Sequence, residues 1–143
     1  MAQISPYLTF NGNCEEAFNY YKSVFGGEFS GIMRFKDAPP MPGNEIDPKY
    51  GNLIMNMSLP ISKEVFLRGS DGHPNFGQVP FGKNVTLTVE VESKEKADKI
   101  FTALAKDGKV AMPIADVFWG SYFGMTEDKF GFNWMVSYEY PKK

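Results

Sequence analysis

Two stretches of this chain repeat one another. YLTFNGNCEEAFNYYKSVFGGEFS, from Tyr7, and TLTVEVESKEKADKIFTALAKDGKVA, from Thr86, each run strand, capped helix, glycine stop, strand. They are offset by about 80 residues, and each continues into further short strands. The order is βαβββ twice. Helices confined to one face of each module leave the other sheet face to curve around a cleft. The expected fold is therefore α+β, with two βαβββ modules forming a curved mixed sheet around a cleft and the helices outside. The expected organisation is a single domain over residues 1–143: module one over about 3–70, a linker loop over about 70–83 and module two over about 84–140.

The local signals behind that reading are of two kinds. Residues 4–10 are apolar with Tyr and Thr and end at the turn-forming Asn11-Gly12-Asn13, which predicts a strand. Asn13 is a candidate helix cap, with Glu15 and Glu16 at the positive end, and Ala17, Tyr20, Tyr21 and Val24 recur at helical spacing until Gly26-Gly27. Strands are predicted over residues 28–35, 52–59 and 65–68. Residues 37–51, with Pro39, Pro40, Pro42, Gly43 and Pro48, read as a long loop because proline lacks a donor and fixes its backbone. In module two, residues 85–92 alternate strictly, with Val85, Leu87, Val89 and Val91 on one face and Thr86, Thr88, Glu90 and Glu92 on the other. Ser93 caps a helix over residues 94–106 whose Ala97, Ile100, Phe101 and Leu104 share a face, and Gly108 ends it. Strands are expected over residues 109–113, 117–125 and 132–138.

A length of 143 residues suffices for a sizeable core without disulfides, and the lone Cys14 excludes an internal disulfide framework. The net charge of -2, from 15 basic and 17 acidic residues, gives no electrostatic footprint for nucleic acid or an anionic membrane. No apolar run approaches the ~20 residues needed to span a bilayer, and the N-terminus lacks a signal-peptide pattern. A cytoplasmic protein is expected.

Several residues carry chemistry. The aromatic density of residues 113–137, with Phe118, Trp119, Tyr122, Phe123, Phe130, Phe132 and Trp134, marks either a core or the wall of a concave site. Trp119, Phe118, Tyr122 and Trp134 are expected in the core first and as pocket wall second. Glu90 shares a face with Thr86 and Thr88, where a carboxylate on a partly dry wall is a candidate general base and otherwise an exposed strand residue. Arg68 is a candidate partner for Glu90 or a clamp for a substrate anion, since guanidinium forks hold carboxylate and phosphate bidentately. His73 is the single histidine, either a loop base or ligand or simply a solvated loop residue. Cys14 sits at a helix start, where the dipole lowers a thiol pKa, but without a His or Lys beside it in sequence its expected role is burial. No glycine-rich phosphate loop and no Ser/His/Asp arrangement is readable.

The opening PYLTFNGNCEEAFNYYKSVFGGE, the central RGSD, the strand NVTLTVEVES and the closing MPIADVFWGSYFGMTEDKFGFNWMVS resemble the PhnB-like branch of the vicinal oxygen chelate superfamily, which includes glyoxalases, bleomycin-resistance proteins and extradiol dioxygenases. The resemblance covers nearly the whole chain. Members are often called demethylubiquinone methyltransferase-like, yet no methyl-donor motif is readable here. The metal-binding members place His or Glu at four positions that fall in this sequence on Pro6, on Phe66 to Arg68, on Val85 or Thr86, and on Met135. Proline, methionine and arginine are not metal donors, so no metal and no other cofactor is expected. The resemblance implies a homodimer binding a small organic ligand, with Phe10, Arg68, Thr86, Thr88, Glu90, Trp119 and Met135 as candidate ligand contacts. Whether it is an enzyme stays open. The alternatives are a glyoxalase-type lyase, isomerase or transferase whose metal is held by unusual ligands such as Glu90 and His73, and an interaction module without ligand.

Overall fold

In the computed structural model the chain forms two compact units, residues 1–80 and 81–143. Residues 4–39 and 45–141 are described; Pro40, Pro42 and Gly43 of the expected loop lie outside them. The order is β1 (Tyr7–Phe10), α1 (Cys14–Phe25), β2 (Gly31–Arg34), β3 (Ile54–Pro60), β4 (Phe66–Asp71), β5 (Thr86–Glu90), α2 (Lys94–Ala105), β6 (Lys109–Val117), β7 (Ser121–Glu127) and β8 (Asn133–Glu139). This is βαβββ twice. Hydrogen bonding closes each module into its own four-stranded mixed sheet, ordered β1-β4-β3-β2 and β5-β8-β7-β6. In each, the first strand pairs in parallel with the last, and the other pairs are antiparallel.

In module one, α1 buries Cys14, Ala17, Phe18 and Tyr21 against Leu8, Phe10, Met57 and Leu67. Phe18 meets Phe10 edge to face at 6.0 Å and Tyr21 at 5.9 Å, geometries in which a ring edge faces a neighbour's π cloud. The start of α1 is held differently from the sequence expectation. Asn13 makes no side-chain cap; instead Asp71, at the end of β4, accepts from Gly12 N at 3.0 Å and Cys14 N at 2.9 Å. Its other oxygen accepts from Ile54 N at 2.9 Å, tying the helix start to two strands.

In module two, Ser93 caps α2 as expected, accepting from Lys96 N at 3.1 Å. Ala97, Phe101 and Leu104 face the sheet along with Trp134 and Val136, and Ile100 is half-buried. The predicted strand over residues 117–125 is instead interrupted. Gly120 adopts φ 89°, and its N–H bonds Val117 O at 3.1 Å, so Phe118 and Trp119 form the tip of the β6–β7 hairpin. They are 96% and 53% exposed. The core expected from aromatic density therefore holds only Trp134 of that set, while Tyr122 is half-buried and donates its hydroxyl to Asp98 of α2. Trp119→Ala is expected to cost under about 1 kcal/mol in urea unfolding, because half the ring already meets water. A loss of about 3 kcal/mol would show the ring covered in solution by another surface.

Candidate ligand-binding site

Alternation along a strand, combined with the register between strands, decides which residues share a sheet face. In module one Leu8, Gly69 and Met57 face α1. The opposite face carries Tyr7, Arg68 and Ser58 in one row and Thr9 beside Ser70 in the next, with Phe66 two residues before Arg68. Arg68 is exposed, and its guanidinium carbon lies 4.9 Å from the centre of the Phe66 ring. It makes no ion pair among the described residues. Arg34 differs: its fork is filled by Glu15 at 2.6 and 2.9 Å, and Arg34 holds the Glu15 carboxyl below its usual range mainly through that hydrogen bond.

In module two the register sets Thr86 beside Asn133, Thr88 beside Met135 and Glu90 beside Ser137, all on the face away from Leu87, Val89, Trp134 and Val136. Phe123 stands across from Ser137 on that face, and the Trp119 ring meets Phe123 edge-on at 5.5 Å. Thr86, Thr88, Glu90 and Met135 thus come together on one sheet face, bordered by Trp119. Arg68 and His73 belong to the first unit.

Phe10 departs from the candidate set. Its side chain is fully buried on the α1 side, because Leu8 and Phe10 close the core at either end of a short strand. His73 begins a 3-10 turn over Pro74–Phe76, where its Nδ1 accepts from Asn75 N at 3.1 Å and its ring packs 4.7 Å from Phe76 and 5.7 Å from Phe35. An accepting Nδ1 leaves the ring N–H on Nε2, a donor and not an open lone pair. Cys14 is buried, and burial, with Asp71 and Glu15 nearby, pushes its thiol up, away from nucleophilic use. Asp71 and Ser58 are the residues sequence reasoning missed. Asp71 stands in the RGSD block, but its partners lie 17 to 59 residues away.

A metal at the four family positions would need converging N or O side chains. Pro6, Arg68, Thr86 and Met135 do not form such a set, and no group of three or more His, Cys, Asp or Glu able to hold a metal is found among the described residues. Among the described residues no helix is long and apolar enough to cross a membrane.

Two βαβββ modules, each a four-stranded mixed sheet with a helix on one face, define the glyoxalase type of fold. A glyoxalase/bleomycin resistance protein/dioxygenase family enzyme from Burkholderia phytofirmans shares it, at 15% identity and TM-score 0.62 over 97% of this chain and 100% of that one. The family model described as 3-demethylubiquinone-9 3-methyltransferase matches residues 2–137. Protein YjdN of Escherichia coli is 31% identical over 94% of this chain and 93% of its own. Protein PA1353 from Pseudomonas aeruginosa is similar at 37% identity and TM-score 0.84, over 97% and 98% of the two chains. The PhnB protein from Bacillus cereus is similar at 26% and 0.76, over 96% and 99%. The chain belongs to the family of that model, in which the similar Bacillus cereus structure is named PhnB, and it has the fold of the glyoxalase/bleomycin resistance/dioxygenase neighbour. The β1–α1 and β5–α2 connections, Asn11-Gly12-Asn13 and Val91-Glu92-Ser93, hold one glycine between them, unlike the glycine-rich turns that cradle nucleotide-bearing donors.

Proposed function

We propose that this chain is a metal-free binding protein for a small organic molecule, acting as a homodimer and as one domain. What supports the reading is the helix-free face of module two, where Thr86, Thr88, Glu90 and Met135 share one surface with Phe123 and Trp119 at its border. Hydroxyls and one carboxylate among aromatic and thioether surface suit a ligand recognised by shape, stacking and a few polar contacts. The rival enzyme needs metal ligands assembled from residues such as Glu90 and His73. That set is poor, because the His73 Nδ1 lone pair is taken by Asn75 N, and no group of three or more His, Cys, Asp or Glu able to hold a metal is found among the described residues.

The test is metal analysis and chelation of protein purified without a histidine tag. We expect substoichiometric metal after gel filtration and an unchanged melting temperature in excess chelator. Stoichiometric zinc, nickel, manganese or iron, with a lower melting temperature on chelation, would overturn the metal-free reading in favour of the glyoxalase-type enzyme. Light scattering should give twice the chain mass of 16.1 kDa. The monomer mass at micromolar concentration would count against the dimer.

A further inference from the structure

A buried hydroxyl normally finds a partner, because leaving water without a replacement hydrogen bond costs free energy. Ser58 breaks that rule: the residue is 6% exposed, and its Oγ has no hydrogen-bond partner among the described residues. It lies in the middle of β3, directly across from Arg68 on β4, with Tyr7 on the other side of Arg68. Residues directly opposite in a sheet bring their Cβ atoms within about 5.5 Å, so the hydroxyl and the base of the arginine side chain are neighbours on the helix-free face.

The surroundings select the ligand's charge. Thr9 and Ser70 stand opposite each other one row along, two residues beyond Tyr7 and Arg68 on the same face, and add two half-buried hydroxyls. The nearest acid in sequence, Asp71, points to the other face and is held by three backbone N–H groups. Arg68 is steadied on one side by the Phe66 ring and meets no carboxylate among the described residues. An arginine fork without an acid, beside an orphaned hydroxyl and two more, lacks one thing: acceptor oxygens. We propose that Ser58 and Arg68 form an oxyanion subsite on module one, taking the carboxylate or phosphate of a small organic acid, with Arg68 as the fork and Ser58 as a second donor beneath it. This rests on the small-molecule reading above and gives module one a ligand of its own chemical class, an anion.

The test uses the full-length protein with sodium benzoate, inorganic phosphate and the uncharged benzamide as probes, followed by amide chemical shifts in NMR titrations. Benzoate or phosphate is expected to move the Ser58, Arg68 and Ser70 amides saturably, and benzamide is not. Arg68→Gln should weaken the anion at least about tenfold, and Ser58→Ala about threefold without loss of stability, since it removes an unpaired buried hydroxyl. Arg68→Lys should recover part of the affinity, because charge without the fork serves a monodentate contact. Absence of saturable shifts with either anion, or wild-type affinity in Arg68→Gln, would overturn the subsite. Retained benzamide binding elsewhere would then leave the broader small-molecule reading standing, whereas absence of binding by all three probes would count against both.

Discussion

Replacing Asp71 by alanine is expected to destabilise the protein by about 4 kcal/mol, because two buried backbone donors and one part-buried donor lose their acceptor at once. The residue is 3% exposed, and its two oxygens accept from Gly12, Cys14 and Ile54 at 2.9 to 3.0 Å. Two of those donors open α1, where the helix dipole adds to the attraction for a negative group. An alanine methyl replaces none of these bonds. Asp71→Asn should fall between, because the carboxamide keeps one acceptor oxygen and turns its NH2 toward a donor. Asp47→Ala is the control: its side chain accepts only from Lys49 N on an exposed 3-10 turn, and the loss should stay under about 1 kcal/mol. Urea unfolding of the three variants decides the matter. A cost under about 1 kcal/mol for Asp71→Ala would mean that water or a rearranged loop satisfies those donors.

What was legible in the sequence follows from how far each signal reaches along the chain. Helix α2 was found with its cap and its buried face because Ser93, Ala97, Phe101 and Leu104 interact over three or four residues. The face shared by Thr86, Thr88 and Glu90 was legible for the same reason, as strict alternation within one strand. The Asp71 network was not, since its partners are set by strand pairing and no local pattern encodes them. Aromatic density misled at Trp119. Gly120 stands one residue after it, inside the predicted strand over residues 117–125, but its left-handed backbone places the turn at Phe118 and Trp119 and lifts both rings out of the core. Phe10, a candidate contact only through the family resemblance, is fully buried on the α1 side. Arg68 was singled out by its place in its strand and its guanidinium chemistry, and only the register puts Ser58 at its side.

Gly69→Ala is expected to cost about 3 kcal/mol, an overpacking penalty at the high end of the usual range. Position 69 on β4 pairs with Leu8 on one side and Met57 on the other and faces α1. A Cβ added there would lie 2.7 Å from Leu8 O and 2.7 and 2.9 Å from Cε1 and Cζ of Phe18. Neither neighbour can retreat easily. The Phe18 ring is fully buried between Phe10 and Tyr21, and Leu8 O belongs to β1, which is fixed to β4 by Arg68 N to Pro6 O at 3.1 Å and Gly72 N to Phe10 O at 2.7 Å. Relief therefore requires either tilting the ring off two aromatic partners or opening the β1–β4 pair. Gly31→Ala is the matched control in the same sheet, with nothing within 4 Å of the added Cβ and no positive φ, and should change stability by under about 0.5 kcal/mol. If the clash with Phe18 is the main term, the double variant Gly69→Ala with Phe18→Leu should lose at least about 1 kcal/mol less than the sum of its single variants. Additive losses would assign the cost to the Leu8 carbonyl, and a Gly69→Ala loss no larger than that of Gly31→Ala would show that the sheet yields where this packing holds it rigid.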